Sequence, residues 1–207
     1  DVVLGDHGTI TLNGLGVVLT VTTSDHSLGG ADGIDTGTGD DIVIAGTGND
    51  IVVTGDGSDV VLGDAGAIVR APSDVLVSLT STEGNGAGNG DDRLELGSGD
   101  DRAIAGSGDY VVLAGAGNDF VLADNGSIVI GSAILTSQDD DLQAGNDTVT
   151  GGDGIDLIIG GAGNDDLSGE GDADVLLGDA GEIIADDTSQ QNDIVSLFPD
   201  ESGSDIL

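Results

Sequence analysis

A nine-residue step repeated twelve times constrains this chain more than anything else in it. In GADGIDTGTGDDIVIAGTGNDIVVTGDGSDVVL the step sets Asp32, Asp41, Asp50 and Asp59 two residues after Gly30, Gly39, Gly48 and Gly57, and two residues before an aliphatic side chain. Asp92, Asp101 and Asp119 continue the series behind Gly90, Gly99 and Gly117, with Tyr110 behind Gly108 as its one break. A third set holds Asp147, Asp156, Asp165 and Asp174. No nine-residue unit can bury its own apolar side chain, so such a chain must stack its units as a solenoid.

A longer period overlies the short one. VLGDHGTI from Val3 returns as VLGDAGAI from Val61, VLADNGSI from Val121 and LLGDAGEI from Leu176. The chain therefore reads as one elongated array over residues 1–207, with repeat blocks at 30–62, 90–122 and 145–177 and inter-block segments at 1–29, 63–89, 123–144 and 178–204. It opens and closes inside such units, which suggests a piece cut from a longer array.

Composition narrows the function. Tyr110, Phe120 and Phe198 are the only aromatic residues, so burial must come from thin layers of Val, Ile and Leu. Forty acidic residues face three basic ones, Arg70, Arg93 and Arg102, and a formal charge of -37 would make a compact metal-free state repel itself. That balance argues against DNA, RNA and anionic membrane surfaces as partners, which are bound through Lys and Arg, and in favour of divalent cations. An acidic disordered tail is the alternative, but 37% hydrophobic content in regular placement argues for order. The chain has no Cys, which excludes disulfides and thiol chemistry. No leader opens it, and no apolar run approaches the roughly 18 residues of a membrane span, so no membrane insertion is expected.

Within a step such as Ala45-Gly46-Thr47-Gly48-Asn49-Asp50, small turn-forming residues precede Ile51-Val52-Val53, which favours extended structure. The glycines let carbonyl oxygens converge, and the aspartate adds a carboxylate. Calcium takes six to eight oxygens, roughly what two such turns supply together. With two strands and two turns per revolution, residues eighteen apart stack on one edge, pairing Asp32 with Asp50, Asp41 with Asp59, Asp92 with Tyr110, Asp101 with Asp119, Asp147 with Asp165 and Asp156 with Asp174. About six shared calcium sites are expected on this count, five with both carboxylates. At free calcium ten times the dissociation constant each would add about 1.4 kcal/mol, so the set rivals a whole domain's net stability of about 5–15 kcal/mol. Folding and calcium binding should be one event.

These glycine-rich nonapeptides resemble those of the repeats-in-toxin (RTX) group of secreted calcium-binding proteins. The resemblance implies an all-β fold built on a parallel β-roll, the aspartates as calcium ligands, and folding after type I secretion from a calcium-poor cytosol, hence an extracellular or cell-surface location. It covers the three blocks and not the segments between them. Tyr110 departs from the pattern, Leu28 and Gln143 stand where an early Gly is expected, and Gly171-Asp172 is expected to shift the fourth turn of the third block.

The gaps between blocks are not multiples of nine, so extra structure is inserted there. Thr9–Leu12 and Val17–Val21 around Asn13-Gly14 read as a hairpin, and Val75–Leu79 as a further strand. In a roll the residue two after each Asp faces inward and its neighbours face out. Here the outward positions Ile42, Ile44, Val60, Leu62, Ile104, Phe120, Leu122, Leu157, Ile159, Val175 and Leu177 are apolar too. Such a row would be a sticky patch. The favoured reading is that each inter-block segment lays its strand over it, and the alternative is lateral contact with another chain.

Sharper chemistry finds little support. No carboxylate pair stands apart from the repeat as a glycosidase pair would, so no enzyme activity is assigned. His7 and His26 have no Cys or third His to complete a transition-metal site and read as surface residues. Gly46-Thr47-Gly48-Asn49-Asp50 mimics part of a dinucleotide fingerprint but precedes no helix, and the acidic text at Asp56–Asp59 lacks the flanking helices and closing Glu of an EF-hand. Arg93 and Arg102 read as surface ion-pair partners, with Arg93 also a candidate to bring positive charge to the Tyr110 position. The expected function is a calcium-stiffened spacer, stalk, adhesin or matrix component of a large secreted or surface-attached bacterial protein, in contact with a host or matrix surface or with its own copies. The alternatives are an accessory module of a secreted enzyme or toxin, or a self-assembling filament or surface layer.

Overall fold

The second residue after each aspartate carries a side chain that must be buried, and that spacing organises the molecule. A computed structural model describes residues 1–25, 27–82, 90–130, 134–137, 145–184, 193–196 and 205–206. Among these there is no helix, and the strands form three sheets.

Two of the sheets are parallel and make the roll. The middle sheet is built, in spatial order, from Val2–Leu4, Ile42–Ile44, Val60–Leu62, Arg102–Ile104, Phe120–Leu122, Leu157–Gly161 and Val175–Asp179. The solvent-side sheet runs Asp166–Glu170, Thr148–Asp153, Val111–Ala116, Arg93–Ser98, Ile51–Asp56 and Gly33–Asp35. The blocks stack on one another without a break: Val52 pairs with Leu94, Val61 with Ala103, Val112 with Val149 and Val121 with Ile158. The inserted segments leave the roll and return to it in register.

Between the two parallel sheets lies the inner core, and its members are the residues two after each repeat position. Ile34, Val43, Val52, Val61, Leu94, Ala103, Val112, Val121, Val149, Ile158 and Leu167 form one buried cluster, joined by small residues such as Ala45, Ala105 and Ala123. Alternation along a strand sends the flanking side chains to the opposite face.

The outward apolar row is covered. The inserted segments supply an eight-stranded antiparallel sheet in the order Gly8–Leu12, Val18–Thr23, Gly66–Arg70, Leu76–Ser81, Gly126–Val129, Ile134–Ser137, Gly181–Ile184 and Asp193–Ser196. Val21, Ile68, Leu79, Ile128, Leu135 and Ile183 lie side by side in register and are fully buried. They share a second core with Ile42, Ile44, Leu62, Ile104, Leu122 and Ile159 of the middle sheet, and Phe120, Val175 and Leu177 pack against it. Burying a Leu or Ile is worth about 1.5–3 kcal/mol, so this face is stabilised within one chain. The result is a parallel β-roll with inserted strands packed on one face.

One local expectation changes. The first hairpin does not turn on a two-residue Asn13-Gly14 loop. Asn13 Oδ1 accepts from the amides of Leu15 at 2.8 Å and Val17 at 3.0 Å, and Gly16 takes φ 83°, so the loop runs to Val17. The Asn side chain organises this longer loop by standing in for a backbone acceptor.

Candidate metal centre

In nine of the turns two positions are left-handed, four and two residues before the repeat residue. Gly97 at φ 102° and Gly99 at φ 133° precede Asp101 in this way. A side chain on Gly97 would run into the carbonyl oxygen of Gly55 one coil below, so glycine is required both by angle and by approach. In the last turn of the third block Glu170 (φ 67°) and Asp172 (φ 64°) hold the same two positions. The turn is therefore kept in place rather than shifted, at the moderate strain of a non-glycine left-handed residue.

These turns stack the repeat positions in two columns. One edge carries Asp32, Asp50, Asp92, Tyr110, Asp147, Asp165 and Asp205, and the other Asp41, Asp59, Asp101, Asp119, Asp156 and Asp174. Beyond Asp32, each carboxylate Oδ1 accepts the backbone N–H of the residue at the matching position one coil earlier. On the first edge the bonds run from Asp32 to Asp50 (2.7 Å), Asp50 to Asp92 (2.8 Å), Tyr110 to Asp147 (2.8 Å), Asp147 to Asp165 (2.9 Å) and Asp165 to Asp205 (3.1 Å). On the second they run from Asp41 to Asp59 (2.8 Å), Asp59 to Asp101 (2.7 Å), Asp101 to Asp119 (2.8 Å), Asp119 to Asp156 (2.9 Å) and Asp156 to Asp174 (3.0 Å). The backbone nitrogen of Asp1 meets Asp41 Oδ1 in the same manner.

The other oxygen of each carboxylate is the informative one. Oδ2 of Asp50, Asp92, Asp101, Asp119, Asp147, Asp156 and Asp165 is buried without a hydrogen-bond partner, although each of these side chains is 0–2% exposed. A buried carboxylate oxygen left this way is costly unless a cation meets it. Burial accordingly pushes Asp92, Asp101 and Asp147 up to about 8, and Asp50, Asp119 and Asp165 up to about 6, with neighbouring carboxylates adding to the rise and the backbone N–H bonds opposing it. Burial also raises Asp59 and Asp156.

The donor set suits calcium. It is all oxygen and anionic, and it is confined to turns where backbone carbonyls crowd together. Among the described residues no group of three or more Asp, Glu or His side chains gathers to hold an ion. A cation on a rung would therefore take two carboxylates and complete its six to eight oxygens from turn carbonyls.

All eleven aspartates singled out by the repeat stand in the two columns. The pairs Asp32/Asp50, Asp41/Asp59, Asp101/Asp119, Asp147/Asp165 and Asp156/Asp174 come together as the eighteen-residue spacing predicts. Stacking across blocks adds Asp50/Asp92, Asp59/Asp101, Asp119/Asp156 and Asp165/Asp205, which counting within blocks overlooks. Asp205 stands two residues after Gly203 and two before Leu207, the spacing of a further step.

Two other buried aspartates come from the phrase shared by the blocks, at the points where the inserted segments leave the middle sheet. Asp64 Oδ2 accepts from Ser107 N at 2.7 Å and from the Tyr110 hydroxyl at 2.8 Å, and Asp124 Oδ2 accepts from Ala162 N at 2.6 Å. Asp6 Oδ2 likewise receives Thr47 N at 2.6 Å and its hydroxyl at 2.8 Å. Each caps a turn of the next coil, a role that the recurrence of GD or AD after each block could have signalled.

The arginines are placed differently from expectation. Arg93 Nε donates to Glu95 Oε1 at 2.7 Å on the outer face of the solvent-side sheet, so its charge is spent on its own strand rather than at Tyr110. Arg102 lies 4.1 Å from the centroid of the Phe120 ring and donates to the carbonyls of Asp101 at 2.7 Å and Asn118 at 3.1 Å. Its partners are thus a ring face and turn carbonyls rather than a carboxylate, because it is drawn in beside the middle sheet. Arg70 meets Asp74 at 3.2 Å. His7 is exposed, while His26 and Gln143 lie outside the described residues.

A sequence search of curated proteins finds no match. The family model of the RTX calcium-binding nonapeptide repeat (4 copies) matches residues 35–67, 86–121 and 143–182, a little over half of the chain and the same three stretches that build the roll. The repeat of this family is a structural calcium-binding module, its ion is the one the orphaned carboxylate oxygens call for, and the chain belongs to the RTX calcium-binding nonapeptide repeat family.

Proposed function

We propose that this chain is a calcium-stiffened rod segment of a large secreted or surface-attached bacterial protein, with a mechanical task as spacer, stalk, adhesin or matrix component. The observation that carries this reading is the two columns of carboxylates, in which the nine buried ones between Asp41 and Asp165 each have one oxygen committed to the preceding coil and the other without a hydrogen-bond partner. Asp32, Asp41, Asp50, Asp59, Asp92, Asp101, Asp119, Asp147, Asp156, Asp165 and Asp174, with Asp205, would hold the ions. Bound calcium supplies positive charge between successive coils. The chain's own residues fix the rest: Oδ1 of each aspartate sets the coil spacing, the glycine pairs aim the carbonyls, and the residue two positions later anchors the turn in the inner core.

Nine rungs join aspartate to aspartate, so up to nine shared ions are proposed in place of about six. The formal charge of -37 supports coupling of folding to ion binding, because the metal-free coil would have to stack like charges. A secreted or surface setting supplies calcium in the sub-millimolar to millimolar range typical of extracellular modules. The covered apolar row favours a rod that acts as one chain over lateral assembly into filaments. Small-angle X-ray scattering tests the mechanical reading. In millimolar calcium the chain should scatter as an elongated rigid particle, and in excess chelator as an expanded coil; unchanged scattering in the two conditions would refute it.

A further inference from the structure

The first-edge column is interrupted at one coil. Tyr110 has no carboxylate to offer the amide of Asp92, and the aspartate ladder resumes only with the bond from Tyr110 N to Asp147. Its ring belongs to the inner core and is 1% exposed. The hydroxyl at its far end donates to Asp64 Oδ2 at 2.8 Å and approaches the Ser107 carbonyl at 3.3 Å.

Asp64 is not a repeat aspartate. It follows Val60–Leu62 at the point where the second inserted segment leaves the roll, and it is 3% exposed. Its Oδ2 also takes the amide of Ser107, in the turn that leads to Tyr110. Oδ2 thus joins two levels of the roll through hydrogen bonds, while Oδ1 is buried without a hydrogen-bond partner. The equivalent Asp6 and Asp124 cap their next coils through Thr47 and Ala162, and only Asp64 meets a phenol.

We propose that Tyr110 and Asp64 form a metal-free rung, in which the phenol hydroxyl clamps neighbouring coils where calcium does so elsewhere. The proposal rests on the calcium reading above. A cation between Asp92 and position 110 would have one repeat carboxylate instead of two, and the ring occupies core space that an aspartate leaves to the turn. The phenol and the Ser107 amide satisfy Oδ2 of this buried carboxylate, and hydrogen bonds to a charged acceptor are strong in such surroundings. The first-edge column is accordingly split into an upper and a lower run of ions, separated by a hydrogen-bonded coil.

Native mass spectrometry of the whole chain at saturating calcium tests this. Tyr110→Asp should bind at least one more calcium ion than the parent chain, because it completes the Asp92 and Asp147 rungs. Asp64→Asn should leave the number of bound ions unchanged, and Tyr110→Phe should do the same while lowering the unfolding temperature. Tyr110 is the only tyrosine in a chain without tryptophan, so near-ultraviolet circular dichroism reports whether its surroundings stay ordered in Asp64→Asn. No gain in Tyr110→Asp with a folded chain, or loss of an ion in Asp64→Asn, would overturn the proposal and make Asp64 the substitute ligand. A parent chain that binds no calcium at all would instead remove the reading on which it rests.

Discussion

The roll and the sheet that covers it satisfy their buried polar groups in opposite ways. In the cover sheet Ser81 Oγ accepts the amide of Gly126 at 2.8 Å and Ser137 Oγ that of Gly181 at 2.8 Å, so these buried hydroxyls are answered within the protein. In the roll, buried aspartates keep an oxygen that the protein does not answer. The cover sheet is held by antiparallel pairing and apolar contact, while the roll is held by parallel pairing, apolar contact and whatever meets its carboxylates. Calcium dependence should therefore be a property of the roll, passed to the cover sheet because the roll is its platform.

The widest separation should come from pH. Asp92, Asp101 and Asp147 sit at about 8 in the metal-free fold, far above an unfolded aspartate near 3.8. The folded state then binds more protons than the unfolded one between those values, so metal-free stability should fall as pH rises from about 4 to about 8. Calcium must displace those protons, so its affinity should rise over the same range. Isothermal calorimetry near pH 7 in buffers of different ionisation enthalpy should detect proton release on calcium binding, and circular dichroism in chelator should show more β-structure at pH 5 than at pH 8. The opposite slope would mean that the carboxylates are not buried in this way.

Next in size is a cut in the cover alone. Leu79→Ala removes a fully buried side chain from the second core and should cost about 2–5 kcal/mol in calcium. The number of ions bound should not change, because Leu79 touches neither column. A loss of ions would show that cover and roll bind as one unit.

The smallest effect should divide by sign. Asp101→Asn keeps an oxygen for the Asp59 amide but removes the charge from two rungs. In calcium it should destabilise by about 1.4 kcal/mol for each ion lost at tenfold excess over the dissociation constant. In chelator it should stabilise, since it relieves a buried carboxylate. Urea titrations in calcium give the first effect and the β-signal retained in chelator at pH 5 gives the sign of the second; the same sign in the two would contradict a metal role for Asp101.

Much of this was legible because the period is short. A residue two positions after each aspartate is forced inward by strand alternation, and Val43, Val52, Leu94 and Ile158 are where that rule puts them. The apolar flanks at Ile44, Leu62 and Ile104 announced a cover, since a solvent-exposed row of that kind would not persist. What escaped the period is what interrupts it. The aspartates of Asp50/Asp92 stand 42 residues apart and those of Asp119/Asp156 stand 37 apart, neither a multiple of nine, so pairing across blocks depends on insertions that leave and re-enter in register. Asp64 lies outside the step altogether, and its tie to Tyr110 depends on a side chain reaching between coils. Glu170 and Asp172 show that a left-handed turn can be enforced by its neighbours without glycine.

Far-ultraviolet circular dichroism during a calcium titration at pH 7.5, starting from chelated chain, tests the central claim most directly. The signal of β-structure should rise cooperatively at sub-millimolar to millimolar calcium and vanish again with chelator. A full β-spectrum in excess chelator, unaltered by added calcium, would contradict the account.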